Sequence, residues 1–315
     1  MAKKGIRCNI RGMTKLYPLF FTPVYKDYIW GGRKILEIFH REGPPGKVAE
    51  SWEVSGRQEG MSVVENGPLK GRSIHDLMLT EKKALMGIDS EHERFPLLLK
   101  IIDAQDNLSV QVHPSVGSEA KTESWFILNA EKDAAVYAGL NDHYPLEEIK
   151  EKLTSNEILS LMNTLPVKKG DMISIPGGRL HAIGSGTLLF EVQQCSNTTY
   201  RVYDWERDRP LHIEEAKSVL LYEDSQNPIA TPKLIDETPT FCRYTLLKTD
   251  FFVIEKLELK GSQNYQKLED KCEMVFCLEG ENTLCPVGRT CLIPASSEVP
   301  KIETEKTSLL RIYLP

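Results

Sequence analysis

With 315 residues the chain has room for two domains of ordinary size, and 41% hydrophobic with 27% charged residues is a globular composition. A formal net charge of −6 argues against general nucleic-acid binding, and no apolar run reaches the roughly eighteen residues of a membrane span. The start, MAKKGIRCNIRGMTKLYPLFF, is basic but lacks an apolar stretch followed by a cleavage site, so no secretory signal is read. Seven cysteines form no CxxC pair, and five follow Phe241 among apolar neighbours. They read as free, mostly buried thiols in a reducing, cytoplasmic compartment.

Short β-branched or aromatic runs between Gly, Pro and Asn turns dominate the chain: SWEVSG, MSVVENG, FPLLLKIIDA, NLSVQVHP and ESWFILNA come first. A helix is predicted over SIHDLMLTEKKALMG. A small helical insertion is expected at about 142–165. In it Pro145 opens a helix with Leu146, Ile149 and Leu153 on one face, and Thr154 with Glu157 makes a capping box for a second. Strands resume with DMISIPGG, TLLFEVQQ and TTYRVYDW. The polar, proline-bearing segment 223–240 reads as a linker, dividing residues 1–222 from a second β domain at 241–315.

VKKGDMISIPGGRLHAIG places Gly170, Pro176, Gly178 and His181 in a frame that CPVGRTCLIPASSEVPKI repeats as Gly288, Pro294, Ser296 and Val299. A repeated turn–strand–turn unit implies two similar β-barrels, of which only the first keeps a histidine. The fold expected is therefore mainly β, with two barrels and a small helical insertion.

Gln111 and His113 leave one face of a strand, as do Lys121 and Glu123 ten residues later, and His181 follows the Gly178 turn. Amide oxygen, imidazole and carboxylate are all ligands that zinc accepts. Thr199, Arg201 and Tyr203 are read as sharing one face, where a permanent guanidinium charge could hold a developing anion. Lys100 interrupts an apolar run, and an unpaired ammonium is costly to bury. With Ser109, on the Gln111 and His113 face, it is the candidate phosphate pocket. Glu191 and Gln193 share a face of TLLFEVQQ. The remaining histidines, His40, His75, His92, His143 and His212, lack partners in the pattern and are read as structural.

The stretches YKDYIWGG, ESWEVS, FPLLLKIIDAQDNLSVQVHP, KTESWFI, IPGGRLHAIG and EVQQCSNTTYRVYDW, taken together in this order, resemble the short bacterial type I phosphomannose isomerases of the cupin superfamily. The resemblance implies two cupin-type (jelly-roll) barrels, the second lacking metal ligands. It also implies one Zn2+ per chain on Gln111, His113, Glu123 and His181, and Arg201 as an active-site arginine. Glu191 would line the site. The implied reaction interconverts mannose 6-phosphate and fructose 6-phosphate through a cis-enediol. Lys121, held beside the metal, would shuttle protons as a second catalytic residue. The expected partner is a small sugar phosphate, with neither nucleic acid nor membrane, and the protein is expected to be a monomer or weak homodimer.

Two features depart from the family pattern. The loop HPSVGSEAKTE is short and carries Ala120 where the family has Gly, and Asn197 stands where an acid is usual. Two other readings fit the same residues: a sugar-phosphate-binding bicupin without turnover, and a cupin with other metal chemistry such as an iron oxygenase.

Overall fold

The structure is a computed structural model that describes residues 15–315. The basic segment 1–14, with Cys8, lies outside the described residues. No described helix is long and apolar enough to cross a membrane. The six described cysteines are free, and all but Cys242 are buried.

The described strands pair antiparallel in three sheets. A six-stranded sheet runs Val24–Lys26, Glu50–Ser55, Leu97–Ala104, Thr187–Gln194, Glu123–Ala130, Met172–Ile175. A five-stranded sheet runs Tyr200–Tyr203, Val110–Val112, His181–Ile183, Ala135–Leu140, Met162–Pro166. A seven-stranded sheet runs Leu19–Phe20, Thr290–Ile293, Glu273–Glu279, Lys306–Tyr313, Val253–Lys260, Phe241–Lys248, Lys233–Thr238. The expected mainly β class holds, while the pairing among the described residues closes no barrel. Central strands such as Leu97–Ala104 are buried on both faces, which explains why they read as continuous apolar runs rather than as alternation.

The segment read as a linker contains the edge strand Lys233–Thr238. The early strand Leu19–Phe20 crosses to pair with Thr290–Ile293. One apolar core draws on both halves, with Phe190 and Phe276 stacked at 4.4 Å between ring centroids.

Both stretches read as helical hold helices, with local differences, and two further helices, Lys34–Ile38 and Ile213–Val219, fall where none was expected. SIHDLMLTEKKALMG folds as two helices, Ile74–Thr80 and Lys82–Met86, the first opened by a Ser73–Asp76 capping box. In the insertion, Ile149 and Leu153 are buried but Leu146 is exposed. The next turn is a 3-10 helix, Asn156–Leu161, capped by Ser155 rather than Thr154. Thr154 instead donates its hydroxyl to the Glu151 carbonyl. Chain then passes directly into the strand Met162–Pro166.

Candidate active site

The five- and six-stranded sheets face each other across a cavity of about 300 Å³. In the five-stranded sheet Gln111 lies opposite Arg201 on one side and His181 on the other. Residues directly opposite in antiparallel strands project to the same face. The row Arg201, Gln111, His181 therefore points one way. In the six-stranded sheet the corresponding row is Trp52, Lys100, Glu191, Trp125, with Glu123 opposite Gln193 one pleat away.

Between these rows, nitrogen and oxygen ligand atoms of His113, Glu123 and His181 lie within 4.8 Å of one another, and all three side chains are buried. His113 Nε2 is 3.3 Å from Glu123 Oε2, and His181 Nε2 is 3.4 Å from Glu123 Oε1. The Gln111 amide reaches His181 Nε2 at 3.3 Å. In a tetrahedral site with bonds of about 2.1 Å, neighbouring ligand atoms stand about 3.4 Å apart. The spacing fits a single metal ion.

Donor chemistry agrees with the spacing. His113 Nδ1 meets the Thr198 carbonyl at 2.8 Å, and His181 Nδ1 meets the Arg179 carbonyl at 2.8 Å. A carbonyl only accepts, so each Nδ1 carries the proton and each Nε2 turns a lone pair inward. Burial pushes the His113 imidazole down to about 3, helped by the Lys121 charge, and burial also lowers His181. Both rings are therefore neutral ligands at ordinary pH. Glu123 Oε2 is buried without a well-directed hydrogen bond, although Lys121 Nζ approaches to 2.7 Å. The Gln111 Oε1 atom accepts from Ser109 at 3.3 Å and its nitrogen faces His181. A half-turn of that amide presents the oxygen to the cluster.

His181 depends on the turn before it. Gly178 has φ +90°, and a Cβ there would fall 2.7 Å from Leu221 and 2.9 Å from the Val219 carbonyl. Only glycine suits that place.

The other sequence-predicted residues take distinct positions. Arg201 lines the cavity and donates to the Pro210 carbonyl at 2.7 Å. No described carboxylate lies within ion-pair distance of it. Burial and neighbouring Arg209 lower its guanidinium below the usual value. Thr199 also lines the cavity, but the register shifts between Arg201 and Tyr203, so Tyr203 turns away and packs beside Trp205. The expected three-residue face is thus cut to two.

Lys121 lies 3.1 Å from His113 Nε2 as well as against Glu123. Lys100 is buried, but its ammonium sits 3.2 Å from Glu191 and 3.7 Å from Glu50. The argument for a phosphate there assumed an unpartnered charge; two carboxylates supply the partner instead. Ser109 directs its hydroxyl at Gln111. Glu191 accepts from Trp125 Nε1 at 3.2 Å, and burial with the Glu123 charge raises its carboxyl to about 7 against the opposing pull of Lys100.

The family profile described as phosphomannose isomerase type I, catalytic domain, matches residues 19–159. The mannose-6-phosphate isomerase ManA of Bacillus subtilis is 36% identical over 281 residues, covering 85% of this chain and 87% of the relative. A mannose-6-phosphate isomerase of Streptococcus mutans is 36% identical over 267 residues, covering 79% and 81%. The chain belongs to the type I phosphomannose isomerase family. A crystal structure of the mannose 6-phosphate isomerase from Bacillus subtilis superposes with a TM-score of 0.83 at 27% identity, over 95% of this chain and all of that one, 100%.

Several site residues escaped the sequence reading of this type I phosphomannose isomerase relative. Glu50 accepts from Trp52 Nε1 at 2.6 Å and helps hold Lys100. Its signal was present: ESWEVS is buried throughout yet holds two glutamates. Glu50 faces the cavity while Glu53 faces the other way, pairing with half-buried Arg41 at 2.7 Å. Arg209 at the cavity rim shares Asp204 with Arg207. His212 was read as structural, and its Nδ1 accepts the Arg201 backbone N–H at 3.2 Å. A larger cleft of about 1000 Å³, lined by Arg94, Cys195, Phe251 and Pro315 among others, shares no residue with the metal-ligand cluster.

Proposed function

We propose that the chain interconverts mannose 6-phosphate and fructose 6-phosphate, using zinc held by Gln111, His113, Glu123 and His181. One observation carries the reading: two neutral imidazoles, a carboxylate and an amide converge at 3.3–3.4 Å beside a cavity walled by charged side chains. The named activity of relatives at 36% identity supports the choice of substrate.

Bound zinc would polarise substrate oxygens as a Lewis acid. Aldose–ketose conversion moves a proton between neighbouring carbons through a cis-enediol, and the anion formed needs a fixed positive charge. Arg201, with no carboxylate to neutralise it, supplies that charge. Lys121 moves protons at the substrate, and Glu191, raised to about 7, is a second group able to hold or release one near neutrality. Lys100 and Glu50 fix the Glu191 side of the wall, and Ser109 fixes the Gln111 amide. At the rim, Arg201 and Arg209 both line the cavity; Asp204 is shared by Arg209 and Arg207, so positive charge is in excess there for a phosphate dianion.

The division into residues 1–222, a connection at 223–240 and a metal-free unit at 241–315, each unit a cupin-type barrel, is part of the same reading. Matching strand registers in the two units support it, and the unpaired described cysteines support a reducing, cytoplasmic setting. The test is a coupled assay on mannose 6-phosphate before and after chelation, with zinc restored. Activity lost on chelation and regained with zinc is expected; zinc-loaded protein without turnover would overturn the isomerase reading.

A further inference from the structure

The turn Ser196–Asn197–Thr198 leads into the strand that carries Arg201, and its Thr198 carbonyl is the acceptor that orients His113. That turn is gripped from outside the cavity. Ser196, buried, donates to the Glu119 carbonyl at 2.9 Å and to Glu119 Oε2 at 3.1 Å. Thr198 Oγ1 donates to the same carboxylate oxygen at 3.3 Å. Asn197 Nδ2 donates to Glu59 Oε1 at 3.4 Å. One guanidinium joins the two carboxylates: Arg57 meets Glu59 at 3.0 Å through Nε and Glu119 at 3.1 Å through Nη1. Glu119 lies in the short loop HPSVGSEAKTE, two residues before Lys121.

We infer that Arg57, Glu59 and Glu119 form a clamp that positions His113 and Lys121, with Glu119 and Arg57 its essential members. Within the loop the Lys121 N–H donates to the Pro114 carbonyl at 2.9 Å, and the clamp ties that loop to the 196–198 turn. Asn197 suits this arrangement because an amide donates to Glu59, whereas a carboxylate there would face a like charge. Groups that hold a metal-binding histidine from behind typically contribute about 10- to 100-fold in metal affinity.

This inference rests on the zinc-site reading, so its test uses two readouts on full-length protein. Zinc affinity is measured by competition with a chromophoric chelator, and the imidazole Nδ1–H signals of His113 and His181 are followed by NMR without zinc. Arg57→Met and Glu119→Ala are each expected to bind zinc about tenfold more weakly, and the double variant no more weakly than the worse single one. Glu119→Gln keeps acceptors for Ser196 and Thr198 and is expected to recover most of the affinity. The His113 signal should broaden in the Ala and Met variants while that of His181, anchored on the Arg179 carbonyl, stays sharp. Unchanged zinc affinity with a sharp His113 signal, or both imidazole signals fading together, would overturn the clamp. Wild-type protein that binds no zinc would sink the metal reading instead, and the His113 signal would still decide the clamp.

Discussion

In the six-stranded sheet Lys100 lies opposite Glu191, and Glu123 opens the next strand opposite Ile175. In the seven-stranded sheet Glu255 lies opposite Arg311, and Glu273 opens the next strand opposite Ile293. Glu191 stands two residues before Gln193, the partner of Glu123, just as Arg311 stands two before Tyr313, the partner of Glu273. Gln111 and His113 find counterparts in Gln263 and Tyr265, and the Gln111–His181 bridge in a Gln263–Ile302 bridge. The slots match, and the ion pair across the central strands is reversed in polarity. What differs is how the buried glutamate is satisfied. Glu273 takes the Tyr265 hydroxyl at 2.6 Å and the Leu268 N–H, with Arg311 3.9 Å away and bound to Glu255. Every partner comes from the protein, so the cluster is closed. Around Glu123 stand two imidazole lone pairs and an amide, with one ammonium, and that set is open to a cation. One scaffold thus yields a candidate metal site or a structural cluster according to whether its side chains accept or donate.

The largest expected effect separates the two glutamates. Glu123→Ala should lose bound zinc and reduce turnover by about 1000-fold, the scale of several kcal/mol of charge stabilisation. Glu273→Gln should keep one zinc per folded chain and lose stability instead. Metal analysis and the coupled assay on both proteins check this, and loss of zinc from Glu273→Gln would break the comparison. Arg311→Met comes next. It strands the buried carboxylates of Glu255 and Glu273 without their guanidinium, and breaking a buried pair costs about 3–5 kcal/mol. Urea unfolding should register that loss while zinc content per folded chain is unchanged.

Much of this was legible from residue order. Period-two spacing in QVHP and KTE, with the glycine turn before His181, pointed to the residues that converge as the buried His113, Glu123 and His181 group, and the frame Gly170 to Pro176 did recur as Gly288 to Pro294. The finer equivalences were not, because pairing register is a long-range property. Spacing put Val299 in the place of His181, whereas the strands pair Ile302 there. Tyr203 was misplaced by a register shift that leaves no mark in TTYRVYDW. Lys100 was read as unpartnered since Glu50 and Glu191 lie far from it in sequence and meet it only across strands. The strand Lys233–Thr238 within 223–240 went unread for a related reason: an exposed edge strand has the polar composition of a loop.

A smaller effect concerns proton linkage at Glu191. Its carboxyl stands near 7 in the folded chain against an ordinary 4.5, chiefly through burial and then the Glu123 charge. A raised carboxyl binds more protons folded than unfolded, so its contribution is fully present below pH 4.5 and lost as pH rises through about 7. Zinc-free Glu191→Gln protein should therefore show a shallower fall in stability across that window. Zinc bound at Glu123 should move the Glu191 titration downward, since a nearby dication favours the carboxylate. A carbon NMR titration of the carboxyl with and without zinc reads both, and an unmoved titration would place the ion elsewhere.

The smallest effect tests why the closed cluster needs no ion. Burial and the Glu273 charge hold the Tyr265 hydroxyl well above its usual pKa, so it is a donor at neutral pH. Tyr265→Phe removes that one hydrogen bond while the Leu268 N–H and Arg311 remain, and a buried acceptor losing one of several partners costs about 1–2 kcal/mol. Arg311→Met combined with Tyr265→Phe should cost a different amount from the sum of the single losses, because both act on Glu273. Additive losses in urea unfolding would mean the two donors act independently, and Glu273 would then be no counterpart of Glu123, whose partners all converge on one point.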